Sequence, residues 1–124
     1  MTDQPIIMLT TMRIDEGKLE AFKDALSQAI EFVERNGPQL MVQTMVDEQA
    51  MRAQSLQVYP DSDAIRTHWE LSDPWIRAVD RVMTPERIEV FGSPDGEVLD
   101  ALRRFTSQGV ALGVTPHHAG FSRF

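Results

Sequence analysis

Residues 58–75 read VYPDSDAIRTHWELSDPW, and this segment passes from the end of a strand through a turn into an interrupted helix. Pro60, Asp61 and Ser62 are turn-forming residues. After them, apolar side chains recur at the spacing of a helix. Pro74 is expected to end a first short helix near Leu71, because proline is tolerated only in the first turn of a helix. The segment therefore predicts two short helices, the second capped by Ser72 or Asp73.

Upstream of this segment, the sequence predicts a strand, a long helix and a hairpin. The run 6–14 is rich in β-branched residues and predicts a strand that is apolar on both faces. An apolar stripe over 16–36 predicts a helix with Asp15 as its N-cap and Gly37 followed by Pro38 as its end. Runs 40–46 and 51–59, joined by a short polar connection, predict an antiparallel hairpin. The second of these runs is too polar for a dry interior, so part of it should meet solvent or a cavity.

Downstream, a short strand over 87–91 and a breaker-rich turn over 92–96 precede a further, shorter helix. The tail from Thr106 is expected to be extended and held only by a partner or by the domain edge. The order strand, helix, strand, strand, helix, strand predicts an α+β fold of the ferredoxin-like, split βαβ type. That fold has a four-stranded antiparallel sheet with helices on one face. We expect a second copy to bury its other face, which makes a homodimer the predicted assembly.

Composition excludes several classes of partner. The chain has 124 residues, a net charge of -7 and no cysteine. A strongly acidic protein repels polyanions, so neither nucleic acid nor an anionic membrane is a predicted partner. No apolar run reaches the roughly 20 residues of a membrane span, and the N-terminus lacks the pattern of a secretory signal. The predicted location is the cytoplasm.

Three motifs resemble the antibiotic biosynthesis monooxygenase-like domains, of the quinol monooxygenase-like type, of the dimeric α+β-barrel superfamily. They are EGKLEAF at 16–22, the segment 58–75 quoted above, and IEVFGSP at 88–94. The resemblance implies that 1–94 form a ferredoxin-like, monooxygenase-type domain. Residues 95–124 would add a C-terminal helix and an extended tail. The superfamily also includes haem-degrading and decarboxylase-like enzymes, so the motifs indicate the fold more sharply than the function.

One sub-pattern bears on cofactors. The haem-degrading members carry Trp-x-x-Ser-x-x-aromatic-x-x-Ala-His, and Trp69, Ser72, Trp75 and Ala78 match it in register. Val79 stands where the haem-ligating histidine would follow, and without that imidazole the iron lacks its axial ligand. There is also no phosphate-binding glycine loop, and His117 with His118 has no metal-site spacing. No cofactor and no metal are predicted.

The resemblance implies a site around His68, at a position where these domains often carry a histidine. Its imidazole would accept a proton from a phenolic oxygen, although a buried structural histidine explains the residue as well. The predicted substrate-binding residues are Trp69 as a wall for an aromatic ring, with Tyr59, Gln54, Gln43 and Trp75. Core packing of the two indoles, and exposure of the two glutamines on a strand face, are the competing interpretations.

Two functions stay open at this point. The first is a cofactor-independent monooxygenase that acts on a phenolic or quinol aromatic held in a pocket between helices and sheet. Such a substrate supplies its own electrons, so the protein needs a base, an apolar pocket and orienting polar groups. The second is a non-catalytic dimeric ligand-binding or scaffold domain of the same fold. The sequence does not decide whether the protein is an enzyme.

Overall fold

The computed structural model describes residues 4–124, so the first three residues of the predicted domain lie outside the described part. Five strands and four helices follow one another in this part of the chain. In chain order they are β1 (Ile6–Ile14), α1 (Leu19–Asn36), β2 (Met41–Asp47), β3 (Arg52–Tyr59), α2 (Ser62–Leu71), α3 (Asp73–Asp80), β4 (Met83–Phe91), α4 (Gly96–Thr106) and β5 (Ala111–Thr115). No helix among these is long and apolar enough to cross a membrane.

The strands form one sheet in the order β2-β3-β1-β4-β5. The first four are antiparallel neighbours, which is the ferredoxin-like arrangement that the sequence predicts. The predicted strand number is wrong, because the tail contributes β5, which pairs in parallel with β4 at the sheet edge. A parallel neighbour needs a crossover connection, and α4 supplies it. Five residues that include Gly113 carry too weak a strand pattern for the sequence to indicate this pairing.

All four helices cover the same face of the sheet, here called the helix face. Alternate residues of β1 point to it, and they are buried at Ile6, Met8, Met12 and Ile14. Two apolar clusters lie on this face. The first joins Ile6 and Met8 to α2 and α4, and the second joins Met12 and Ile14 to Phe22 of α1.

The other face, here called the open face, carries Ile7, Leu9, Thr11 and Arg13 of β1 and the residues paired with them. It is partly apolar, since Leu9 lies opposite Leu56, and Ile7 lies opposite both Val58 and Phe91. Met45 on β2 also belongs to it, and 49% of this side chain is exposed. An apolar sheet face of this kind is a candidate surface for a second copy.

Element boundaries differ from the predicted ones where tertiary contacts intervene. Asp15 does not cap α1. Its carboxylate accepts a hydrogen bond from Thr84 Oγ1 at 2.8 Å, and α1 starts after Lys18. Strand β4 begins at Met83 rather than near 87, and its register with β1 shifts between Thr11 and Met12. Such a bulge accommodates Pro85 inside a strand.

Candidate functional site

His68 lies on the buried side of α2, above the helix face of the sheet. Asp61 caps this helix, because its carboxylate accepts a hydrogen bond from the Ala64 amide at 2.8 Å. Ala64 and Ile65 anchor the helix to the first apolar cluster, which carries His68 inward until 7% of it is exposed. Ser72, one helical turn further on, places its Oγ 3.0 Å from His68 Nδ1. Helix docking and this contact together fix the imidazole.

Burial keeps the His68 imidazole neutral. Desolvation disfavours the charged ring and lowers its pKa from 6.5 to about 4. Ser72 Oγ is the hydrogen-bond partner that the ring has among residues 4–124. Because Ser72 engages Nδ1, a ligand at this ring would have to meet Nε2. A neutral imidazole can accept a proton or a hydrogen bond near neutral pH.

Tyr59 lies beside His68 at the end of β3, with its ring centroid 6.0 Å from that of the imidazole. The side chain is 1% exposed, and burial raises the pKa of its phenol above the usual value. Its hydroxyl donates a hydrogen bond to Gln57 Oε1 at 2.8 Å, and the same oxygen accepts one from Gln39 Nε2 at 2.9 Å. Tyr59 is therefore a neutral phenol whose donor is already used.

The two tryptophans make different contacts. Trp69 packs, partly buried, against the first apolar cluster near His68. Trp75 stacks on Phe32 of α1, with 3.7 Å between the ring centroids and 15° between the planes. This stack fastens α3 to α1. Of the two indoles, only Trp69 packs against the cluster that contains Tyr59, so a wall for a ligand there would come from Trp69.

Gln43 and Gln54 lie on the open face, on the side of the sheet away from His68. Gln43 is paired with Leu56, and Gln54 is paired with Thr11 and Met45. Both glutamines are exposed. The structure thus brings His68, Trp69 and Tyr59 together and leaves these two residues apart, so their assignment to ligand binding stays a prediction.

Other polar residues of the helix face were not assigned to the site from the sequence. Gln57 and Ser55 alternate with outward-pointing residues on β3, so their side chains point to the same face as that of Tyr59. Thr10 and Thr44 lie directly opposite Ser55 on the two neighbouring strands. The signal in the sequence was the period of two on β3. Once Tyr59 is known to point inward, Gln57 and Ser55 must point inward too, and Gln54 must point outward.

The described residues contain neither the histidine that the haem-degrading pattern requires nor a cluster of metal-ligating side chains. Val79, where the haem-degrading pattern has histidine, packs against the second apolar cluster. Across residues 4–124 there is no group of three or more histidine, aspartate or glutamate side chains able to hold a metal ion. A shallow depression of about 250 Å³ lies at one end of the sheet, lined by Pro5, Leu40, Pro60, Ser122 and Phe124.

The fold is similar to that of several solved proteins. No protein-family profile matches the chain, and no similar curated protein is found. Among solved structures it is similar to MupZ from Pseudomonas fluorescens, with a TM-score of 0.75 and 20% identity over 98% of this chain and 96% of that one. It is also similar to SnoaB, a cofactor-independent oxygenase from Streptomyces nogalater, with a TM-score of 0.61 and 15% identity over 73% of this chain and 94% of that one.

A candidate antibiotic biosynthesis monooxygenase from Caulobacter crescentus is a third similar structure, with a TM-score of 0.65 and 19% identity over 76% of this chain and 93% of that one. The likeness to MupZ extends over nearly the whole chain, whereas the other two cover a share close to that of residues 1–94. The chain therefore shares the fold of these solved proteins, which is the fold that its motifs predict.

Proposed function

We propose that this protein is a cofactor-independent monooxygenase that oxidises a phenolic or quinol aromatic bound between the helices and the sheet. The observation that carries the proposal is His68, a buried neutral imidazole that Ser72 holds above the helix face beside Tyr59. The likeness to SnoaB, itself a cofactor-independent oxygenase, supports the proposal at the level of the fold. We further propose that the protein works as a homodimer joined through the open face.

In the proposed reaction the phenol transfers its proton to Nε2 of His68. The resulting phenolate is electron-rich and reduces dioxygen, which forms a carbon–oxygen bond at the ring. The oxygen–oxygen bond then breaks. One oxygen atom stays as a quinone carbonyl and the other leaves as water, so a phenol and O₂ give a quinone and H₂O. The substrate supplies all four electrons, and the protein contributes proton transfer, orientation and exclusion of water.

The low basicity of His68 constrains this mechanism. An imidazole with a pKa of about 4 is a weak base toward a free phenol. A bound phenolate changes this balance, because a negative charge next to the ring favours the imidazolium form. The free enzyme needs His68 neutral, so its activity should already be on a plateau above about pH 5. An exposed histidine would place that rise near pH 6.5 instead.

Ser72 has a positioning role in this proposal. When Nδ1–H donates to Ser72 Oγ, the lone pair of Nε2 is the one that faces a ligand, which is the form a base requires. Ser72 is completely buried, so the pair is protected from competing water. Its removal should lower kcat more than it raises KM, since it orients the base and does not touch substrate.

The alternative is a non-catalytic dimeric ligand-binding or scaffold domain, and one observation favours it. Tyr59 and Trp75, which the sequence assigns to substrate, are engaged in internal contacts with Gln57 and Phe32. Side chains that are satisfied internally explain the polar and aromatic residues without chemistry. In that case His68 would be a structural histidine.

Oxygen consumption decides between the two functions. Naphthalene-1,4-diol and 1-naphthol are supplied to the wild type, to His68→Gln and to Ser72→Ala, with uncatalysed autoxidation subtracted. The matched control is His118→Gln, because His118 is exposed on the tail. We expect His68→Gln to abolish turnover, Ser72→Ala to lower kcat, and His118→Gln to behave as wild type. Equal rates for His68→Gln and wild type, with melting temperatures intact, would favour the binding domain.

A further inference from the structure

We propose that three hydroxyls in one cross-strand row, those of Thr44, Ser55 and Thr10, form a subsite that recognises an oxygen substituent of the ligand. These three residues are called the hydroxyl row below. The inference rests on the proposed function, because it assigns to that aromatic substrate a second oxygen group, a hydroxyl or a carbonyl, away from the one that meets His68.

The sheet register places the three hydroxyls side by side. Ser55 on β3 lies opposite Thr44 on β2 and opposite Thr10 on β1. Residues directly opposite each other in an antiparallel sheet point to the same face, with Cβ atoms about 5 Å apart. Thr10 has the parity of Met8 and Met12, so the row lies on the helix face. A ligand atom above Ser55 is therefore within reach of donors from three strands.

The row interrupts the apolar core. On one side of it, Met12 and Ala53 belong to the second apolar cluster. On the other side, Met8 belongs to the first cluster. The hydroxyl row occupies the boundary between them, where an ordinary core would continue with apolar side chains.

One hydroxyl of this row lacks a partner in the described part of the chain. Thr44 Oγ1 is completely buried and has no hydrogen-bond partner among residues 4–124. Ser55, directly opposite Thr44, is 8% exposed. Buried polar atoms in native proteins are nearly always paired, and an unpaired one destabilises the fold. A ligand oxygen at the row would give Thr44 Oγ1 the partner that it lacks among residues 4–124.

The row also lies in line with His68. Tyr59, Gln57 and Ser55 follow one another on the helix face of β3, so Ser55 is about 13 Å along the strand from Tyr59 at 3.3 Å per residue. The His68 ring is next to Tyr59. Above the sheet, α1 contributes Leu19, Phe22 and Leu26 of its first half to the second cluster. An aromatic ligand that lies along β3 would meet His68 at one end and the hydroxyl row at the other.

The test compares two probes that differ by one oxygen, 1-naphthol and naphthalene-1,5-diol. Binding is measured by tryptophan fluorescence without oxygen, so that turnover does not interfere. We expect the wild type to bind the diol more tightly. The variant Thr44→Val/Ser55→Ala should bind the diol about tenfold more weakly and 1-naphthol unchanged, the size expected for neutral hydrogen bonds. Thr11→Val, on the open face of the same sheet, is the matched control and should change neither affinity.

Thr44→Val alone guards against a folding defect, since it replaces the hydroxyl by a methyl group of similar size. It should raise the melting temperature of the free protein, because it removes a buried unpaired hydroxyl. It should also weaken binding of the diol relative to 1-naphthol. An unchanged ratio of the two affinities in both variants overturns the hydroxyl row as a subsite, and so does a wild type that binds neither probe.

The two proposals fail separately. One outcome is that His68→Gln abolishes oxygen consumption while the hydroxyl-row variants leave the ratio of the diol and 1-naphthol affinities unchanged. This outcome supports the monooxygenase and refutes the subsite. If no quinol is oxidised while the variants lose preference for the diol, the row stands as a binding site and the oxygenase falls.

Discussion

Lowering the pH should destabilise this protein through His68, by an amount that follows from its burial. The imidazole has a pKa of about 4 in the folded protein and 6.5 in an unfolded chain. The unfolded state therefore binds a proton first as the pH falls below 6.5, and the folded state becomes less stable relative to it. The contribution is complete above pH 6.5 and is lost as the pH approaches 4. The total loss is about 3 kcal/mol, of which about 2 kcal/mol is lost by pH 5.

The assay is urea unfolding of wild type and His68→Gln at pH 8 and pH 5, followed by tryptophan fluorescence at one protein concentration. Wild type should lose about 2 kcal/mol more than the variant between the two values. Two carboxylates also have shifted pKa values. Burial raises the pKa of Asp80, and the ion pair between Asp95 and Arg66 lowers the pKa of Asp95. Both effects occur in both proteins and cancel in the difference.

His118→Gln is the matched control, because this exposed residue should leave the pH dependence of wild type unchanged. A His68→Gln protein whose stability falls with pH as steeply as that of wild type would refute the reasoning. It would mean that the imidazole is solvated in the folded state. The base in the proposed mechanism would then be an ordinary histidine, with its activity profile rising near pH 6.5.

Three further predictions test packing, backbone and assembly. Phe32→Leu removes the stack on Trp75 of α3. It should lower the free energy of unfolding by about 1 kcal/mol beyond the loss from reduced apolar burial. Urea unfolding measures this loss, and the tryptophan emission maximum should change. Gly92→Ala should cost about 1–3 kcal/mol in the same assay, because φ is +131° and an added methyl lies 3.2 Å from a backbone oxygen, whereas Gly96→Ala should cost nothing. Met45→Lys on the open face should lower the mass found by light scattering to that of one chain, while Gln28→Lys on exposed α1 should not.

The local pattern of the sequence is strong where one element carries its own signal. The apolar stripe of α1 and the β-branched run of β1 predict those elements, because period and composition are local properties. Pro74 likewise marks the break between α2 and α3. Asp15 shows the limit of this reasoning, since a carboxylate suited to an N-cap binds Thr84 instead, a residue far along the chain.

The candidate site also combines residues that the sequence predicts from local signals with residues that only the tertiary structure reveals. The sequence selects His68, Trp69 and Tyr59, which the structure brings to one face of the sheet, because their residue types stand out in a short segment. It groups Gln54 with them and passes over Gln57. The two differ only in strand parity, and parity has no meaning until one residue is known to point inward.

What the sequence determined by itself is the order of the elements and hence the ferredoxin-like core, because helical and strand periodicities are written into consecutive residues. Only the tertiary structure decided that the tail adds a fifth strand in parallel with β4, since that pairing joins segments separated by a whole helix. It also decided that Ser55 meets Thr10 and Thr44 in a row, because register across three strands depends on how they are paired and not on any one of them.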